Sequence, residues 1–220
     1  MSPFVAPTLH LVTSRRRLAP DARTTRDEIA ALAAQIDEAI EAGVDVVQIR
    51  ERDLDAGLLR SLVAGVVSRA AATTRIVVSD RVDVAMAAGA QGVHLPAAGL
   101  PASQVRILAP GLLVGRSIHG HDRPDDRYAC DYLMFGTVFA SESKGEGSVV
   151  AGIDALRDAV RGVGRPIVAI GGVTPDRARA CLDAGAVGVA AIGAFLPIGR
   201  ACDARGVRAA TDTFRAAMRS

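Results

Sequence analysis

Lysine is nearly missing from this sequence. Of 26 Lys+Arg, Lys144 is the one lysine, which leaves 26 − 1 = 25 arginines. It lies in the stretch "GTVFASESKGEGS", rich in Ser, Gly and Glu. A chain that spells its cations as arginine and keeps one flexible ammonium in a loop points to a use for it. Cysteine is scarce as well. Cys130, Cys181 and Cys202 are odd in number and have no CxxC spacing. That argues against a disulfide framework and fits free thiols in a reducing, cytoplasmic setting. No charged leader precedes the short apolar "SPFVAPTLHLV", so no secretory signal is expected. The uncharged run 184–199 is interrupted by Gly and Pro and is too short to span a bilayer, which speaks against membrane insertion. Net charge is only +2 and the basic residues are scattered, with no stripe that would suit nucleic acid. A small, locally anionic ligand stays open. No Pro/Gly-rich linker divides the chain, so one domain over 1–220 is expected.

What the chain does have is a repeated unit. "EAGVDVVQIRE", "AAGAQGVHLP" and "DAGAVGVAAIG" each read as a helix end, Ala-Gly, then a short run that suits a buried strand. Gly43, Gly89 and Gly185 take the place where a left-handed residue closes a helix. This unit predicts strands near 8–12, 45–50, 75–79, 91–95, 112–116, 131–135, 166–170 and 187–192. Helical patterns fall near 25–42, 55–71, 81–88, 101–109, 152–162, 175–184 and 206–218, with a short, poor one over 120–129. Strict alternation implies a parallel sheet, and eight units match a closed (β/α)8 TIM barrel.

In such a barrel the active site is built from the loops after the strands. Past strand two, "VQIRERD" puts Val46, Gln48 and Arg50 on one face by the period of two. Arg50 there needs a ligand anion or an internal acid as partner. Past strand three, Ser79 or Asp80 caps the next helix, or Asp80 holds a metal or a substrate. His94, at strand four, reads as a core histidine with a backbone partner. "GRSIHGHD" offers Ser117, His119 and His121; His119 is nearer the strand and is the candidate proton shuttle, with a plain surface histidine as the other reading. The loop after strand six carries Ser141, Ser143 and Lys144, which suit an oxyanion or a lid over one. Gly171, Gly172 and Gly193 punctuate the turns after strands seven and eight, where barrels often bind phosphate through backbone amides. Thr174-Pro175 reads as an ordinary helix start.

Taken in register, "VQIRER", "VSDRVDVAMAAGAQGVHLP", "GRSIH", "DYLMFGTVFASESK" and "PIVAIGGVTPDR" make the chain resemble the thiamine phosphate synthase and TenI group of small barrels over nearly its whole length. The resemblance implies thiamine biosynthesis and a small phosphorylated thiazole as partner. Self-association into a homo-oligomer is left open. The family divides. Thiamine phosphate synthase joins a pyrimidine pyrophosphate to thiazole phosphate with magnesium. TenI, as thiazole tautomerase, moves a proton to aromatise the thiazole phosphate carboxylate, and for it no cofactor is implied.

The sequence mixes the two patterns. Arg52 stands where a synthase usually has Lys, Ser79-Asp80 where it has Asn-Asp, and Gly99 where it has a magnesium-binding Asp. Ser141, Ser143 and Lys144 match the synthase residues that grip pyrophosphate, whereas Thr137 stands where TenI has its catalytic His. Loss of a metal ligand is severe for pyrophosphate displacement, and a proton shuttle is easier to replace. The leading expectation is therefore a TenI-like tautomerase. In it Arg50 and Arg52 hold the substrate with Gln48, Ser79, Asp80 and Ser117 nearby, His119 moves the proton with Thr137, and Lys144 closes over the site. The alternatives are the synthase, with magnesium at Asp80, and a non-catalytic binder of thiazole or thiamine phosphates.

Overall fold

A computed structural model describes residues 4–70, 72–120, 122–141, 149–196 and 205–219. Its eight parallel strands are β1 (Thr8–Val12), β2 (Val46–Ile49), β3 (Arg75–Ser79), β4 (Gly92–Leu95), β5 (Leu113–Ile118), β6 (Tyr132–Phe135), β7 (Ile167–Ile170) and β8 (Gly188–Ala191). They pair in sequence order, and β8 closes on β1 through Thr8↔Gly188 and Leu11↔Ala191, making a TIM barrel. The runs are short, rich in β-branched residues and buried on both faces, as a sheet covered by helices requires.

The helices are α1 (Arg15–Leu18), α2 (Thr25–Glu41), α3 (Ala56–Arg69), α4 (Val82–Ala87), α5 (Ala102–Leu108), α6 (Gly152–Val163), α7 (Pro175–Asp183) and α8 (Arg205–Arg219). α2 shows why they form. Thr24 Oγ1 accepts from the Asp27 N–H at 3.2 Å, and Leu32, Ile36, Ala39 and Ile40 make one apolar stripe against the barrel. Gly43, Gly89 and Gly185 have φ of 80°, 71° and 98°, as the Ala-Gly repeat predicts. None of the described helices is long and apolar enough to cross a membrane.

Two local expectations differ. α1 was not foreseen. The segment 120–129 holds no α-helix among its described residues, only a 3-10 turn at Arg127–Ala129. There the Asp126 carboxylate accepts from the Ala102 N–H and pairs with Arg116 at 3.2 Å, which ties the segment down in a non-helical path.

The core has two parts. One lies between sheet and helices. The other fills the barrel, with Phe4, Val46, Val77, Leu113, Tyr132 and Val168 among its members. Phe4 and the early strand residues occupy the amino-terminal end, so the open rim is at the carboxyl ends of the strands.

Candidate active site

A chain of buried polar groups leads up to the rim. Gln48 Nε2 donates to Ser79 Oγ at 2.8 Å. One strand further, His94 is hydrogen-bonded through Nδ1 to the Tyr132 hydroxyl at 3.1 Å and through Nε2 to Ser117 Oγ at 2.9 Å. Its partners are therefore side chains, not the backbone expected for it. Burial, with Arg52 and Arg50 nearby, lowers its pKa to about 3, so the ring is neutral. Deeper in the barrel, burial and His94 lower that of His10 to about 3 as well. Gln48 Oε1 is buried with no hydrogen-bond partner among the described residues.

Arg50 and Arg52 stand over this chain at the rim and are exposed. Burial of part of the guanidinium, and then Arg52, lower the pKa of Arg50. Among the described residues Arg50 has no ion pair, because the adjacent carboxylate is engaged elsewhere. Glu51 accepts from Thr13 Oγ1 at 2.7 Å, the Arg15 N–H at 3.0 Å and Arg15 Nη1 at 3.0 Å. Of the two partners open to Arg50, the internal acid is ruled out within that set.

Neither Ser79 nor Asp80 caps α4. Its N-cap is Arg81, whose guanidinium turns to Asp83 at 2.6 Å. Asp80 is exposed at the rim with φ of 65°, a left-handed conformation that costs a non-glycine residue about 1 kcal/mol. Opposite it, the turn "LPAAG" has no room for a side chain at Gly99, where a Cβ would lie 2.7 Å from Pro96 Cδ. No group of three or more His, Cys, Asp or Glu residues that could hold a metal occurs among the described residues. Magnesium, however, is commonly held by one or two carboxylates together with substrate phosphates and water. Asp80 fits the one-carboxylate form of such a site.

On the far side of β1 a cavity of about 770 Å³ opens after β7 and β8. Gly171, Gly172, Gly193 and Ser141 line it, so the predicted phosphate turns do converge. Gly172 has φ of 61°, and a Cβ there would meet the Ala140 carbonyl oxygen at 2.3 Å. The glycine is required by both conformation and space. Thr174-Pro175 begins α7, as expected. Arg16, Arg17 and Arg177 also line the cavity and were missed. The usable signal was "TSRRR", directly after strand one. A smaller cavity of about 430 Å³ lies at the opposite end of the barrel, where Arg106 and Asp131 are paired at 2.5 Å.

His119 is exposed at the rim. Its N–H donates to Asp122 Oδ2 at 2.9 Å, and its ring nitrogen Nδ1 is hydrogen-bonded to the Gly136 carbonyl. It thus reaches the end of β6, where Thr137 is buried, in contact distance of the Gly171 backbone. His121, Ser143 and Lys144 lie outside the described residues. Cys130 and Cys181 are free, buried thiols, each raised to about 11 by burial, and Cys202 falls outside the described set.

A model of the family described as thiamine monophosphate synthase matches residues 22–195. A putative thiamine-phosphate synthase of Geobacter sulfurreducens is 38% identical over 171 residues, covering 75% of this chain and 79% of that protein. The thiamine-phosphate synthase of Pyrococcus furiosus is 32% identical over 214 residues, covering 94% and 92%. Among solved structures, thiamine phosphate pyrophosphorylase from Pyrococcus furiosus superposes with a TM-score of 0.75 at 29% identity, covering 96% of this chain and 95% of that one.

Proposed function

The chain belongs to the thiamine monophosphate synthase family, whose members act in thiamine biosynthesis, and from that footing we propose that it is a thiamine-phosphate synthase. It joins a hydroxymethylpyrimidine pyrophosphate to thiazole phosphate. The names of its relatives favour this transferase over the tautomerase expected from the sequence. The observation that carries the reading is the presence of two anion grips on one rim. Arg50 and Arg52 follow β2, and Gly171, Gly172 and Gly193 follow β7 and β8. One grip suits a pyrophosphate and the other a phosphate.

In the reaction the bond from the pyrimidine methylene to pyrophosphate breaks and the pyrophosphate leaves with the electron pair. The thiazole nitrogen then bonds to the methylene, and no proton is transferred. Arg50 and Arg52 hold the pyrophosphate and gain most as its charge develops. The buried Gln48 Oε1 is an acceptor for the exocyclic amine of the pyrimidine, while Gln48 Nε2 stays with Ser79. The glycine amides fix the thiazole phosphate so that its nitrogen faces the methylene. Neutral His94 keeps Ser117 in place without adding a cation that would compete for the leaving group. Asp80 would hold a magnesium ion, whose chemistry there would be to neutralise leaving-group charge. Thr137 offers no group that titrates near neutral pH, so it does not supply the proton transfer a tautomerase needs.

The tautomerase stays as a second reading on one observation. With Nδ1 of His119 donating to the Gly136 carbonyl, Nε2 is left to take a proton. Incubation with both substrates and magnesium separates the readings. Thiamine phosphate and pyrophosphate are the expected products. Aromatisation of thiazole phosphate carboxylate without coupling would overturn the proposal in favour of the tautomerase, and binding without turnover would favour a silent binder.

A further inference from the structure

Among the described residues, three guanidiniums and no carboxylate line the cavity after β7 and β8. Two of the three are engaged. Arg16 Nη2 lies 2.6 Å from Asp53 Oδ2. Arg177 Nη1 donates to the Gly172 carbonyl at 2.8 Å, and the guanidinium stacks over Phe139 at 5.0 Å. Arg17 is half-buried, and its side chain has no ion pair or hydrogen bond among the described residues.

Its position is built, not incidental. α1 is pinned on one side by Arg15, which is 3% exposed and paired with Glu51 at 3.0 Å, Asp53 at 2.6 Å and Glu28 at 2.8 Å. Leu18, one turn on, is buried in the core. Residues in a helix step by about 100°. With Arg15 and Leu18 turned inward, Arg17 points to the other side of the turn. Its Nη2 lies 4.0 Å from the point a Cβ on Gly193 would occupy. A guanidinium partly withdrawn from water beside bare backbone, with no carboxylate among the described residues that line the cavity, calls for an anionic oxygen.

We propose that Arg17 is a further phosphate-anchoring residue, reaching from the β1 side of the rim to an anion seated against Gly171, Gly172 and Gly193. The identity of that anion as thiazole phosphate rests on the function proposed above. A planar guanidinium facing a phosphate offers two parallel donors, which the backbone amides alone do not.

The test is calorimetric binding of thiazole phosphate, its dephosphorylated alcohol and inorganic phosphate to the full chain and to R17A and R17K. In R17A, affinity for thiazole phosphate should fall about 10- to 100-fold, as for a lost hydrogen bond to a charged group. The alcohol should bind unchanged, R17K should recover part of the loss, and urea midpoints should stay the same. R17A binding thiazole phosphate as tightly as the unaltered chain, or losing phosphate and alcohol equally, overturns the inference and leaves the synthase reading intact. If the unaltered chain ignores thiazole phosphate but binds inorganic phosphate in an Arg17-dependent way, the anchor stands and the thiazole reading falls. If it binds neither anion, the anchor is refuted.

Discussion

Replacing His10 by leucine should remove about half of the acid sensitivity of this barrel between neutral pH and pH 5. His10 and His94 are buried in the barrel, 0% and 3% exposed, and both have pKa values lowered from 6.5 to about 3. His10 Nε2 bonds Thr8 Oγ1 at 3.1 Å, its Nδ1 has no partner among the described residues, and its ring packs edge-on against Phe4 and Tyr132. Arg52 and Arg50 oppose a proton on His94, and a proton on His94 would oppose one on His10. Unfolded imidazoles take up protons below about pH 6.5, whereas these two wait until about 3 in the folded chain. Their contribution is thus complete above pH 6.5 and drains as pH falls towards 3. Each pH step below the unfolded value costs about 1.4 kcal/mol per ring, so at pH 5 each ring withdraws about 2 kcal/mol and the pair about 4. That is a large share of the roughly 5–15 kcal/mol that holds a domain together. Urea unfolding of the unaltered chain and H10L, at about pH 7.5 and pH 5, measures it. Carboxylates change little in that window, which isolates the histidines. An H10L chain that loses as much stability on acidification as the unaltered one would refute the reasoning.

Other outcomes follow from the rim. G172A should be destabilised by about 2–3 kcal/mol in thermal or urea melts and should lose thiazole phosphate binding, because the new Cβ meets backbone oxygen at 2.3 Å in a left-handed conformation. R50A should leave stability within about 0.5 kcal/mol, since no ion pair among the described residues is broken, while kcat/KM for the pyrimidine pyrophosphate falls by about 100-fold in steady-state assays. D80N should fold normally yet need several-fold more magnesium for half-maximal rate, a shift readable by metal titration; an unchanged requirement would exclude Asp80 as the metal's carboxylate.

The architecture was legible because its signals are local. Buried parallel strands read as short apolar runs, and Ala-Gly after α2, α4 and α7 marks a left-handed residue whatever lies around it. The glycine turns after β7 and β8 were legible for the same reason, since Gly171 and Gly172 mark backbone with positive φ and no space for a Cβ. α1 was not, because four residues carry no helical period, and Arg15 is buried through Glu28, Glu51 and Asp53, which stand 13, 36 and 38 positions away. The fate of Arg50 was equally out of reach. Its neighbour Glu51 is a plausible partner on paper, and only the fold turns that carboxylate to Thr13 and Arg15. The partners of His94 required knowing that Tyr132 and Ser117 lie on adjacent strands of a closed sheet.

These non-local features share a location, and that is the strongest argument that the rim is functional. Arg50 and Arg52 are like charges set side by side, and Asp80 is held at φ of 65°. Among the described residues Gln48 Oε1 is buried with no donor, and no carboxylate lines the cavity that Arg17 faces. Lower in the barrel the inward-facing residues are mostly apolar, and on the outer helices Arg69 pairs with Asp37 and Arg179 with Asp183. Local conflict of this kind costs stability and persists where something else compensates for it. An anion with several oxygens, bridging the two arcs of the rim, would relieve the arginine repulsion and give Arg17, Arg50 and Arg52 a partner. Ligand binding should therefore raise the unfolding temperature by more than contact area alone suggests, because it removes repulsion as well as adding contacts.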